Sequence, residues 1–363
     1  MESTHFVLNN PPATETVPAA APFFQDELID PHPAARLCHV ASICELADGR
    51  LAAAWYAGSK EGATDVNILL AFRQRGRDGG WTTPRVLADR TSASRELGRY
   101  VRKVSNAVLF TDSNDKLWLV YDSSAIPGAV GGSLNSKTSN DGGNTWTASQ
   151  RLTLSPFFNM GEMVKNKPTL LSGGGLALPI YHELINDFPE ILWLIQSGQE
   201  LTATKTRAFG GRRGYQPCMV PVTQETGALL CRAPGAVDSI QASRTTDGGR
   251  SWSEPVSAGL PNPDAGIDAI RLRDGRLLLA FNDSVRVRTN LKLAISRDEG
   301  TTWQRAATLV QDSDGISAAY PFLLQTRDGN IHLVYSVNKR VIRHVVFNTA
   351  WLASPTTPAN EPR

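Results

Sequence analysis

RDGRLLLAFND, residues Arg273–Asp283, joins a tight turn to a short apolar strand, and the chain carries five relatives of it. They are ADGRLAAAWYAG (47–58), SNDKLWLVYDS (113–123), SGGGLALPIYHE (172–183), ETGALLCRAPG (225–235) and RDGNIHLVYSV (327–337). In each, a tight turn is followed by about six residues rich in β-formers and aliphatics. The copies recur every ~50–65 residues, and a fixed period of that length marks stacked or radial architectures. Further short strands lie between them: VNILLAF (66–72), SIQASRT (239–245) and NLKLAISR (290–297). Six units of four short strands predict an all-β, six-bladed β-propeller, which closes on itself and leaves only short, protected edges.

A second turn recurs three times, as TSNDGGNTW (138–146), TTDGGRSW (245–252) and SRDEGTTW (296–303), with an eroded copy in RDGGW (77–81). Asp and Asn accept hydrogen bonds from backbone two residues on, and Gly supplies positive φ. Each copy follows an alternating strand, so each belongs at a third-to-fourth strand hairpin, with its Thr or Ser and Trp pinning the turn to its own blade. On this reading Asp141, Asp247 and Asp298 are turn formers rather than catalytic carboxylates.

At 363 residues the chain is either several domains or one large all-β unit. Hydrophobic residues at 41% and charged residues at 20% place it among ordinary globular proteins; 30 glycines and 22 prolines suit many turns. The net charge of +2, with no basic stripe, argues against a nucleic-acid partner. No apolar run reaches the ~18 residues of a membrane span. The N-terminal stretch lacks a basic start and an apolar block, so it does not read as a secretory signal. As written this places the protein in the cytoplasm, or in the periplasm or outside the cell if a signal has been removed. Cys38, Cys44, Cys218 and Cys231 show no CxxC spacing and read as buried, reduced thiols, Cys38 and Cys44 on one face of a strand. No metal-ligand spacing appears, and no cofactor is expected. No amphipathic helix exceeds two turns. The expected organisation is an arm over 1–30, a propeller over 31–351 and a disordered tail over 352–363.

The second turn motif has the form of the Asp-box, and over roughly residues 35–351 the chain resembles sialidase superfamily (BNR repeat) proteins of bacteria. The resemblance is most specific where NPDAGIDAIRLRDGRLLLAFNDSVRVRTNLKLAISRDEGTTW and AAYPFLLQTRDGNIHLVYSVNKRVIRHVVFNTAWL follow the order of a sialidase's last blades. It implies a six-bladed propeller in which three arginines grip a substrate carboxylate, an Asp is acid/base, and a Tyr nucleophile is paired with a Glu. Carried across, Tyr320 is the tyrosine. Arg288, eight residues before the Ser of the third box, and Arg232, fifteen before Asp247, are two of the arginines. Asp65 is the acid/base, with Glu61 its competitor, and Arg340 joins the substrate-binding candidates. Two positions depart from the family pattern: His39 stands where the first arginine belongs, and Gln216 where the glutamate belongs.

These residue types make chemical sense together. A guanidinium fork matches a carboxylate bidentately. A tyrosine hydroxyl, with a reference pKa of about 10, needs a base or a positive field to act as a nucleophile. Gln216 cannot supply the base; neighbouring arginines can supply the field. A carboxyl at Asp65 or Glu61 could protonate the leaving oxygen. Each residue also has a plain structural reading: Arg288 in an inter-blade ion pair, Tyr320 in packing, Asp65 capping a turn, His39 in the core, His182 and Glu183 ending a strand. Three functions fit the pattern. One is an exo-glycosidase releasing a terminal α-linked acidic sugar. Another is a lyase or hydrolase of uronic-acid glycans, of the rhamnosyl-glucuronate type, centred on His39. The third is a glycan-binding propeller without catalysis.

Overall fold

The computed structural model describes residues 5–8, 21–76, 79–126, 132–152, 161–183, 186–197, 200–235, 237–312 and 315–354. Most of residues 1–20, residues 77–78 of the eroded turn and most of the expected tail lie outside these. Six antiparallel sheets follow one another along the chain and form the blades of a propeller. Their inner strands are Leu37–Glu45, Lys103–Thr111, the pair Glu162–Val164 and Thr169–Leu170, Tyr215–Pro221, Asp268–Arg271 and Ala318–Gln325. Each of the six sequence copies spans the first-to-second strand hairpin of one blade, with second strands from Leu51–Gly58 through to Ile331–Val337. These second strands, apolar on both faces, are almost wholly buried, with Trp55, Tyr121, Tyr181, Tyr335 and Phe281 among the fully enclosed side chains. A continuous apolar run suits them because each blade is packed on both sides by its neighbours.

The ring closes through the N-terminal region. Phe24–Leu28 pairs with Val341–Phe347 of the sixth blade, from Phe24↔Phe347 to Leu28↔Arg343. These five residues were expected within an arm; their half-buried pattern, with only Asp26 exposed, is that of an edge strand that closes the last sheet. Further upstream, Phe6 is buried against Leu171, Trp193, Met219 and Trp252, with backbone bonds to Gln224 across blades three and four.

The three boxes sit at third-to-fourth strand hairpins. Asp141 accepts from the Ser139 hydroxyl at 2.7 Å, the Thr145 hydroxyl at 2.6 Å and the Thr145 N–H at 2.9 Å; Asp247 and Asp298 repeat the pattern. The turns also do more than hold their own blade. A Cβ on Gly143 would stand 2.7 Å from Phe72, and one on Gly249 3.3 Å from Trp193, so each of these boxes packs flat against the blade before it. The cysteines are all free and buried. Cys38 and Cys44 lie in different core layers rather than on one face, because a bulge between His39 and Ser42 shifts the alternation. No helix is long and apolar enough to cross a membrane among the described residues.

Candidate active site

Four inner strands are interrupted near the same end. The register breaks between His39 and Ser42, Ser105 and Ala107, Tyr215 and Cys218, and Ala319 and Phe322. At each break a non-glycine residue adopts the left-handed region: Val40 (φ 49), Asn106 (φ 39), Gln216 (φ 48) and Tyr320 (φ 54). Such a conformation costs roughly 1–3 kcal/mol per residue and persists only where surrounding packing enforces it. The bulge re-aims a side chain that regular pleating would turn into the blade. Opposite the breaks, the second strands place Tyr56, Asp122, Arg232 and Ser336 in register with His39, Ser105, Tyr215 and Ala319. The side chains from these positions meet at one mouth of the ring.

Arg232 is the hub. Its Nη1 donates to Gln216 Oε1 at 3.0 Å and lies 3.2 Å from the Tyr320 hydroxyl, while its Nε donates to Asp264 Oδ1 at 2.8 Å. Tyr215 donates to the same Asp264 oxygen at 2.8 Å and lies beneath the guanidinium, 4.7 Å from ring centroid to Cζ. Burial works against the charge of Arg232, but Tyr320, Tyr215 and Asp264 more than offset it and hold its pKa above the ordinary value. Arg288 reaches the backbone carbonyl of Asp264, so both arginines are anchored on one residue. Gln216 Nε2 donates to the Tyr181 hydroxyl at 3.2 Å, and Asn106 Nδ2 to the same oxygen at 3.4 Å. Gly266 lies flat against Tyr320: a Cβ there would stand 2.8 Å from Cδ1 of the ring.

His39 completes the wall. Its ring is edge-on to Tyr320 at 4.8 Å and to Tyr56 at 5.8 Å, it is fully buried, and neither ring nitrogen has a hydrogen-bond partner among the described residues. Burial lowers its pKa to about 3, so it is neutral and a very weak base. Glu61 accepts from the Tyr56 hydroxyl at 3.4 Å and from Lys339 Nζ at 2.6 Å; desolvation pushes its carboxyl up, but Lys339 brings it net below the usual range. Asp65 does not join the group. It accepts from the Ser59 hydroxyl at 2.9 Å and the Ser59 N–H at 3.1 Å, which lower its pKa and make it the cap of an exposed turn. The Arg340 side chain is exposed and bonds to none of these residues; its neighbour Lys339 makes the contact with Glu61.

Tyr320, Arg232, Gln216, Arg288 and His39 therefore lie together, and Glu61 reaches them through Tyr56. Several contributors carry no motif of their own. Asp264 is legible only as an acidic residue in the NPDAGID loop, and Tyr215, Tyr181 and Asn106 only as polar residues in apolar strands. Asp122 is 3% exposed, and neither carboxyl oxygen meets hydrogen-bond geometry with a partner. Burial raises its pKa well above the usual range, which the Val164 backbone and Asn106 counter only in part. Glu183, at the end of the second strand of blade three, is exposed yet backed by protein. Desolvation and then Asp187 raise its carboxyl, against the pull of Arg232 and Lys103.

A family profile for the BNR repeat-like domain matches residues 49–333. The chain belongs to that family. Among solved structures, this BNR propeller is similar to the Hadza microbial sialidase Hz136, with a TM-score of 0.71 at 16% identity over 85% of this chain. It spans 65% of the length of that sialidase. It is also similar to the intramolecular trans-sialidase from Ruminococcus gnavus in complex with oseltamivir carboxylate (TM-score 0.68, 15% identity, 88% of this chain and 96% of that one). A third is a protein of unknown function from Dyadobacter fermentans DSM 18053 (TM-score 0.69, 14% identity, 90% and 99% covered). At such identities the likeness is one of fold. No curated protein matches the BNR propeller by sequence.

Proposed function

We propose that the protein is an exo-acting hydrolase that takes a terminal acidic sugar into the mouth lined by Arg232, Arg288 and Tyr320. The observation that carries this is the 3.2 Å contact between the buried guanidinium of Arg232 and the Tyr320 hydroxyl. Arg232 and Arg288 would hold the sugar carboxylate, a role suited to guanidinium forks anchored from behind by Asp264. The guanidinium of Arg232 lies where it can stabilise negative charge developing at the Tyr320 oxygen as that oxygen attacks the anomeric carbon. Proton donation to the leaving oxygen needs a carboxyl that holds its proton near neutral pH. Asp65 and Glu61 are both held ionised by their partners, whereas the Glu183 carboxyl is shifted upward beside Arg232 and Lys103, so of the three Glu183 is the best suited to that part.

The lyase reading needs a base beside the sugar carboxylate, and a sealed His39 with a pKa of about 3 is poorly suited to abstracting that proton. The binding-module reading draws on Gln216, since no described base contacts the Tyr320 hydroxyl. The test is turnover of a fluorogenic sialoside and of an aryl glucuronide by the wild type, Tyr320→Phe and Glu183→Gln. The expected result is release of one of the two sugars, falling at least a hundredfold in Tyr320→Phe. In Glu183→Gln the loss should be greater for substrates with poor leaving groups. Unsaturated-uronate absorbance from a glucuronate-capped glycan would overturn hydrolysis in favour of the lyase, and saturable binding without turnover would favour the binding module.

A further inference from the structure

Several cations of this propeller are neutralised where they stand: Lys137 by Glu96, Lys205 by Glu162 and Glu190, Lys292 and Arg305 by Asp283, Arg276 by Asp274. The segment Arg99–Lys103 is different. Among the described residues Arg99, Arg102, Lys103 and the neighbouring Arg151 form no ion pair. Arg99 donates to the hydroxyls of Ser123 and Ser133, and its buried Nε has no partner. Desolvation and then the like charge of Arg151 lower its pKa. Arg102 reaches only the Gly62 carbonyl, at 3.4 Å. Between them Tyr100 is 64% exposed, a flat aromatic surface left in solvent.

Position gives this cluster its meaning. Lys103 begins the inner strand of blade two, at the end where His39, Tyr215 and Tyr320 lie in theirs. Its Nζ is 3.9 Å from where a Cβ on Gly62 would stand, beside Glu61, and its charge is felt by Asp122 and Glu183. Blade two and blade five face one another across a six-bladed ring, so this cationic wall lies opposite Arg288, with Arg232 next to that arginine in blade four. Uncompensated like charges at a cleft focus a field that draws in anions.

We propose that Arg102 and Lys103, with Tyr100 beside them, form a second anion subsite that holds the carboxylate of the next sugar. The preferred substrate is then an acidic oligosaccharide charged on two successive residues rather than a terminal acid on a neutral glycan. This rests on the reading of Arg232 and Tyr320 as the site of the terminal sugar. The exposed face of Tyr100 suits stacking against a sugar ring, and the cations supply charge without a fixed partner to displace.

Calorimetric titration with two probe pairs tests it: disialic acid against sialyllactose, and diglucuronate against methyl glucuronide. The wild type should bind the two-acid member of one pair at least tenfold more tightly, with a preference that shrinks as salt rises. Arg102→Gln/Lys103→Gln should lose that preference and keep its one-acid affinity within twofold; Lys103→Gln alone serves if the double variant unfolds. Equal affinity for both members in the wild type, or equal losses for both in the variant, overturns the subsite. Arg232→Met separates the two readings. Binding of a two-acid probe that survives Arg232→Met yet requires Arg102 and Lys103 keeps the subsite and overturns the terminal-sugar site. No binding of any probe overturns both.

Discussion

Gln216 commits its amide oxygen to Arg232 and its amide nitrogen to Tyr181, an orientation dictated by the fact that a guanidinium can only donate. The position next to the proposed nucleophile is thus filled by a neutral group that can neither take up a proton nor repel an ionised tyrosine. Gln216→Glu would set a carboxylate against Arg232 and within the same cluster as Tyr320. If Tyr320 is the nucleophile, kcat on the sugar it releases should rise at least tenfold, with an acid limb that follows ionisation of the new carboxyl. Unchanged or reduced turnover in a folded variant would remove the nucleophile reading. Tyr320, Arg232, Arg288, His39 and Gln216 were legible in the sequence because the boxes fix their register. Asp65 was not legible as the cap of a turn, because two bonds from Ser59, six residues upstream, engage its carboxylate and nothing in the string TDVNI reveals them.

Hairpins and bulges differ in how visible they are. The six first-to-second strand turns were readable because tight turns are local, with Gly, Asp and Asn at fixed offsets. The bulges that shape the mouth were not, because Val40, Gln216 and Tyr320 are residues that avoid positive φ, the tolerance of Asn106 for it marks no bulge by itself, and only cross-strand packing holds them there. Another non-local element is the seam between blades one and six. Glu27 of the closing strand accepts from Arg73 at 2.7 Å, Trp81 at 3.1 Å and His344 Nδ1 at 2.8 Å, and His344 Nε2 lies 3.0 Å from His332 Nδ1. With Nδ1 of each ring carrying the proton, the chain of donors runs His332 to His344 to Glu27. Burial, with the charge of His344 added, lowers the His332 pKa to about 3, and burial lowers that of His344. An unfolded chain protonates both rings near pH 6.5, so stability is undiminished above that value and falls as pH drops from about 6.5 towards 3. Each histidine adds up to about 1.4 kcal/mol per pH unit to that slope. The carboxyl of Glu27, held low against its own desolvation by His344 and Arg73, acts in the same direction. Denaturant unfolding of His332→Gln between pH 7.5 and 4.5 should show a shallower acid loss than the wild type. Equal slopes would place the acid sensitivity elsewhere.

At the scale of the whole ring, residues from both ends of the chain share the sixth sheet, and the N-terminal region is tied down a second time by Phe6. That side chain is 1% exposed between blades three and four. Phe6→Ala should cost roughly 3–5 kcal/mol, the range for emptying a buried aromatic site. Thermal unfolding should register this as a fall in Tm, while kcat and KM stay unchanged. A change in kcat at full folding would contradict the separation of the two faces. Composition and repeats made the architecture readable, but the N-terminal arm was read as peripheral because its proline-rich sequence carries no strand period. Phe24–Leu28 becomes a strand only through its partner more than 300 residues away.

Phe6 docks at the ends of the strands where Gln224 and Leu171 turn, and Arg232 and Tyr181 lie at the opposite ends of those same hairpins. The anchored segment and the mouth therefore look in opposite directions. A linker joined at residue 5 and fixed to a solid support would present the mouth outward, towards the bulk solution. Long glycans would meet the opening without having to pass between the protein and the surface that carries it.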